Sequence, residues 1–251
     1  MNETQETQIE DLPPPTMTQP TKLLSLFIAP IKLMEALKTN PTIFLPLMLI
    51  IAINLASILL LADFNQQVLD HTNTILMEHM LDQGLDITPL LPVMDEYGIE
   101  PTGVDLNFLL IINSIFAPLI LGVIYAFLLW LMTKIARGDA TFPMYFSLYI
   151  HTAVITTFGT FLSTLLMAQL STFTDPASLA AFLMPTSNLS SPLFNFLSTI
   201  TIFSLYSAIL TFFALKTFND FKTKALIIAT LAYLIPNLTL TLITSLAFII
   251  V

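Results

Sequence analysis

The chain has 251 residues, enough for one or two soluble domains, yet 55% are apolar, only 10% are charged and the mean hydropathy is +0.84. A soluble fold has too little polar surface here to cover such a core, so lipid must replace water as solvent for much of the chain. The net charge of −9 sums acids and bases that lie in different places, and with no cysteine there is no disulfide, thiolate metal site or cysteine nucleophile.

Residues 1–20 (MNETQETQIEDLPPPTMTQP) are acidic, polar and proline-rich. Pro13, Pro14 and Pro15 block helix and nothing apolar is available to bury, so a disordered cytoplasmic tail is expected, with a docking peptide as the alternative. No basic region followed by an apolar core is present. The first spanning helix is therefore expected to act as an uncleaved signal.

Residues 21–38 place Leu23, Leu24, Phe27, Ile28, Ile31 and Met34 at helical spacing, punctuated by Lys22, Lys32, Glu35 and Lys38. The segment is too short and too charged to span. It reads as an interfacial amphipathic helix, broken or kinked at Pro30, with lysines reaching anionic lipid.

The region 41–251 holds five apolar runs: Ile43–Leu61, Phe108–Met132, Phe146–Leu170, Phe194–Leu215 and Ala225–Val251. A hydrocarbon core of roughly 30 Å needs about 20 helical residues, and each run meets that within tilt. The runs are continuous rather than alternating, which argues against a barrel. The fold expected is an all-α integral membrane protein, a bundle of five transmembrane helices. Pro46, Pro118 and Pro236 should kink helices one, two and five. Gly122 and Gly159 should allow close helix approach. Trp130, Tyr145 and Tyr149 suit an interfacial belt.

Lys22, Lys32, Lys38, Lys134, Arg137, Lys216, Lys222 and Lys224 are the only lysines and arginines, and a five-helix arrangement puts them all on one side. The other side, residues 62–107 and 171–193, has none. The positive-inside rule then sets the amino terminus in the cytoplasm and the carboxyl terminus outside.

The acidic external loop 62–107 carries nine carboxylates with His71 and His79. Residues 66–83 read as an amphipathic helix ending at Gly84. His71, Glu78, His79 and Asp82 would share one face of it, but their spacing is not a known ligand pattern, and a solvated helix face is the plainer reading. No metal and no cofactor are expected.

The five runs contain no Asp, Glu, Lys or Arg. Proton-coupled carriers generally keep such groups at depth. No GxSxG, Walker loop, dinucleotide fingerprint or intramembrane aspartate dyad is present, so no enzyme is expected. The polar residues at depth are the candidate helix-packing or path-lining positions: Asn54, Asn113, His151, Asn195 and Asn237. Such side chains bond across helices at about 1 kcal/mol each. His151 should be a hydrogen-bonded packing residue, with pH sensing as the alternative.

Three stretches carry a family resemblance. Phe27-Ile-Ala-Pro30 with Pro41-Thr-Ile-Phe-Leu-Pro46 enters helix one through prolines. Lys134-Ile-Ala-Arg-Gly138-Asp-Ala-Thr-Phe142 is a short basic loop before helix three. Helix four, a lysine-containing loop and helix five close the chain. Together they resemble the Yip-domain family of membrane proteins over about residues 25–251. The resemblance implies a five-helix bundle with a cytoplasmic amino terminus. Gly138-Asp139 stands where relatives often have a double glycine, and the Asp-Leu-Tyr-Gly-Pro motif of eukaryotic members is absent, so Rab binding is not carried over.

The function expected is a non-catalytic multi-pass scaffold or adaptor acting through helix–helix contacts. The alternative is a small transporter or channel subunit for a neutral solute, with Asn54, Asn113 and Asn237 along its path. The expected partners are the lipid bilayer and other membrane proteins or a second copy, with no nucleic acid. The expected setting is a bacterial cytoplasmic (inner) membrane.

Overall fold

Apolar segments in lipid must satisfy their backbone groups internally, which favours helix throughout. The computed structural model describes residues 17–68, 71, 74, 103–183, 192–221, 224, 225, 227–232 and 235, with only the backbone described at 103–110, 113 and 192. The helices named from them are α1 (Gln19–Ile28), α2 (Pro30–Thr39), α3 (Phe44–Leu60), α4 (Ala62–Val68), α5 (Gly103–Ile135), α6 (Phe142–Leu170), α7 (Leu179–Leu183), α8 (Pro192–Thr199) and α9 (Ile202–Asn219). Residues 224, 225 and 227–232 are helical as well. Among the described residues the only β pairing is an isolated antiparallel bridge between Ser178 and Thr201.

Three of these helical stretches are long and apolar enough to cross a bilayer: Ser114–Ile135 within α5, Phe142–Leu170 and Ile202–Asn219. Helix α3 with its 17 residues is about 26 Å long, short of a full span. It continues into α4 across a 79° bend, and the pair makes a fourth crossing only if it is one bent span rather than a re-entrant loop. Against the expectation of five, the described residues hold three such helices, or four with the bent pair taken as one span. Most of the fifth run, Ala225–Val251, lies outside them, as do residues 1–16 and most of the 66–83 helix.

The fourth run differs from its expected form. A single helix over Phe194–Leu215 is replaced by α8 and α9 with a break at Ile200 and Thr201. Thr201 is extended and caps α9: its Oγ1 accepts from the Ser204 N–H at 3.1 Å, and Ser204 Oγ accepts from the Thr201 N–H at 2.9 Å. The backbone freed at the break pairs with the entry to α7, Leu179 N–H donating to the Ile200 carbonyl at 2.8 Å and Ile202 N–H to the Ala177 carbonyl at 3.3 Å. Helix hydrogen bonds lost locally are therefore replaced across space.

Two prolines act as their positions dictate. Pro30 starts α2 and separates it from α1 at Ala29. Pro46 does not kink a helix, because α3 starts at Phe44 and the first turn has no intrahelical partner for its N–H groups anyway. There the Leu45 N–H donates to Gln19 Oε1 at 2.9 Å, so α1 caps α3.

Helix α6 is the centre of the packing, against α5, α3, α9 and α2. Its Tyr145, Leu148, Ile150, Val154 and Ile155 are buried. Two glycines admit large rings: a Cβ on Gly122 would come within 2.9 Å of Phe146 and Tyr149, and one on Gly159 would overlap Phe203. Tyr145 is fully buried, which removes it from the expected interfacial belt. Its hydroxyl accepts from Asn219 Nδ2 at 2.7 Å, and that contact draws it inward.

Candidate functional site

A groove of about 340 Å³ lies between α3, α5 and α6. Asn54, Ser57, Ser114, Tyr149, Thr156 and Thr157 give it hydrogen-bonding character, while Ile50, Ile58 and Leu121 are among its apolar members. It lies toward the carboxyl half of α3 and the amino half of the apolar part of α5, away from the end where α5 and α6 join. Helical spacing brings these residues to one face on each helix, as for Asn54, Ser57 and Ile58 on α3 or Tyr149, Ala153, Thr156 and Thr157 on α6.

Pro118 creates part of the site's chemistry. It stands inside α5 with no N–H to offer the carbonyl of Ser114, four residues earlier. Asn54 Nδ2 donates to that carbonyl from α3 at 3.4 Å. The Ser114 hydroxyl donates to the Ile111 carbonyl at 2.7 Å, and the Thr156 hydroxyl to the Ala153 carbonyl at 3.2 Å. Both hydroxyl protons are thus engaged, and only the oxygens are left to accept from a ligand.

Of the other expected polar positions, His151 and Asn195 are not among the residues that line this groove. His151 is buried on α6, its Nδ1 2.8 Å from the Ser147 carbonyl of the same helix, and its Nε2 has no hydrogen-bond partner among the described residues. Asn195 is half-buried on α8. The side chain of Asn113 and all of Asn237 lie outside the described residues. So do Glu78, His79 and Asp82 of the possible metal face, while His71 stacks on Phe173 with ring centroids 4.1 Å apart. Among the described residues no group of three His, Asp or Glu is placed to hold a metal.

The lysine-rich end is built differently. Helix ends carry unpaired carbonyls and partial negative charge, which cations satisfy. Lys22 Nζ donates to the Asn40 carbonyl at 2.5 Å and lies 3.3 Å from Thr42 Oγ1, at the end of α2. Lys38 Nζ donates to the Thr217 carbonyl in the last turn of α9 at 2.8 Å. Lys224 Nζ donates to the Ala136 carbonyl just beyond α5 at 3.1 Å, and Lys134 Nζ to the Gly138 carbonyl at 3.1 Å. Lys22 is thereby buried at 1% exposure, so it does not reach out to lipid as its sequence position implied. Burial also holds its ammonium pKa below the usual 10.5.

Further bonds tie the same end together. Ser147 Oγ donates to the Thr42 carbonyl at 2.6 Å and accepts from the Thr42 N–H at 3.1 Å, joining the entry of α3 to α6. Tyr206 OH donates to the Leu26 carbonyl at 2.8 Å, joining α9 to α1. Asn219 Oδ1 accepts from the Ala140 N–H at 3.1 Å while its Nδ2 donates to Tyr145. Gly138 packs so closely on Asn219 and Phe221 that a side chain there would collide with both. Composition suggested a basic surface here; it did not disclose that four of the basic residues are structural.

Among the described residues three further exposed cations stand at this end, Lys32, Arg137 and Lys216. Beside them α1 and α2 expose Leu24, Phe27, Ile28 and Ile31, while burying Leu26, Leu33, Met34 and Leu37 against the bundle.

No curated protein and no solved structure matches the chain. Residues 24–245 match the Yip1 domain, a span that takes in the second half of α1, all of α2, the groove and most of the pinned end, but not Lys22. The chain belongs to the Yip1 domain family.

Proposed function

We propose that this chain is a non-catalytic scaffold or adaptor of the bacterial cytoplasmic membrane that holds other membrane proteins by contact. The carrying observation is the lysine-rich end, where hydrogen bonds from Lys38, Tyr206, Asn219 and Lys224 link α1, α2, α9 and the α5–α6 loop. An end held this way offers a fixed surface and resists the rocking of one half against the other that alternating access needs. Lys32, Arg137 and Lys216 stand free on it for acidic partners. In this reading the end is cytoplasmic, by the positive-inside rule, and α1–α2 lie in the headgroup layer with Leu24, Phe27, Ile28 and Ile31 in lipid.

A small neutral-solute transporter or channel subunit is the second reading, and the polar groove is the observation that favours it. Photo-crosslinking groups placed at Arg137 and Lys216 in native membranes test the first. A discrete adduct with a protein, absent when the group is placed at lipid-facing Ile120, is the expected result. Solute flux in proteoliposomes above that of empty vesicles, lost on Asn54→Leu, would overturn the scaffold in favour of the second reading.

A further inference from the structure

We propose that the groove between α3, α5 and α6 seats the glycerol moiety of an uncharged glycerolipid drawn from the surrounding bilayer. This goes beyond the scaffold role and does not depend on it. The first support is unmet hydrogen bonding. A serine or threonine in a spanning helix ordinarily donates to a carbonyl of its own preceding turn. Ser114, Thr152 and Thr156 do so here. The hydroxyls of Ser57 and Thr157, and that of Tyr149, make no hydrogen bond among the described residues, and all three line the groove. In a hydrocarbon setting with no water to bond, such groups call for a polar partner.

The second support is the chemistry of the lining. It contains hydroxyls, one carboxamide and a proline-freed carbonyl, and no charged residue. It can donate to ester carbonyls and accept from a free hydroxyl, but it has no cation to balance a phosphate. The third is access. Leu121 lines the groove and is 54% exposed, and Phe116 and Ile120 on the same helix are exposed beside it. Acyl chains attached to a seated glycerol would leave along that apolar lip into lipid. The volume of about 340 Å³ suits the glycerol, its esters and the first chain carbons rather than a whole lipid.

The test uses the purified full chain in nanodiscs containing a diacylglycerol that carries a diazirine near the glycerol. A phosphatidylglycerol with the same diazirine serves as the charged comparison. Mass spectrometry locates adducts. The expected result is diacylglycerol adducts concentrated on 50–58, 114–121 and 149–157, with little from phosphatidylglycerol. The Ser57→Ala/Thr157→Val variant should lower groove adducts about sevenfold, the effect of two neutral hydrogen bonds of membrane strength. Adducts at Ile124 and Phe127 should stay unchanged. These substitutions leave the Asn54–Ser114 contact in place, and Ala117→Leu, which fills the groove without removing a hydroxyl, should act the same way. Equal labelling by both lipids, labelling insensitive to all three substitutions, or seating of free glycerol without any lipid adduct would overturn the proposal.

Discussion

The side chain of Asn54 reaches from α3 to α5 and donates through Nδ2 to the main-chain carbonyl of Ser114 at 3.4 Å. Pro118 has left that carbonyl without its helical partner. A proline inside a membrane helix is tolerated where a neighbour re-satisfies the freed group, and here the neighbour is a single carboxamide. The same contact fixes one wall of the groove.

Asn54→Leu is accordingly expected to destabilise the protein by about 1 kcal/mol, within the range of hydrogen bonds between membrane helices. Pro118→Ala returns an N–H to α5 and gives the Ser114 carbonyl a partner of its own. In that background the cost of Asn54→Leu should fall by about half. Equilibrium unfolding of the four proteins in mixed micelles checks this. Equal losses in both backgrounds would mean that Asn54 does not serve the carbonyl.

Asn219 holds the lysine-rich end through both faces of its amide. Asn219→Ala leaves the Ala140 N–H without its acceptor and the Tyr145 hydroxyl without its donor, with Tyr145 fully buried. A loss of about 2 kcal/mol is expected, since stranded buried polar groups cost more than a bond is worth. Hydrogen exchange at the Ala140 amide should speed up in the variant while amides of α3 keep their protection. Uniform acceleration across the bundle would instead indicate that the loop is not held locally by Asn219.

What the sequence disclosed follows from how local each cause is. The break before Pro30 was legible because a proline acts on its own neighbours. The central spans were legible from continuous apolarity. The break at Ile200 and Thr201 was not, because Thr-Ile-Thr reads as apolar enough to continue and its replacement pairing comes from Ala177 and Leu179. The only local sign was the Thr201–Ser204 pair, a reciprocal cap before an apolar run. The place of Tyr145 near a helix start points to the interface, and its contact with Asn219, distant in sequence, holds it inside instead. Asn54 was legible as a polar residue at depth, but the groove was not: serine and threonine in spans usually satisfy themselves, and nothing local marks Ser57 and Thr157 as exceptions.

Lys22 shows the same limit and gives a pH dependence. Burial keeps its folded pKa below the usual 10.5, whereas the unfolded chain holds that proton up to about 10.5. Between the two values the unfolded state binds more protons, so stability rises with pH across that window, with a slope of at most about 1.4 kcal/mol per pH unit. Below the window both states are charged and the slope vanishes; above it both are neutral. The difference in unfolding free energy between wild type and Lys22→Met should therefore shift toward wild type as pH climbs to about 10.5, then level off. Other titrating groups cancel in that difference when both proteins are unfolded in the same micelles from neutral to alkaline pH. A difference that fell with pH would mean that the Asn40 carbonyl and Thr42 hydroxyl stabilise the ammonium by more than its desolvation costs, reversing the direction of the shift.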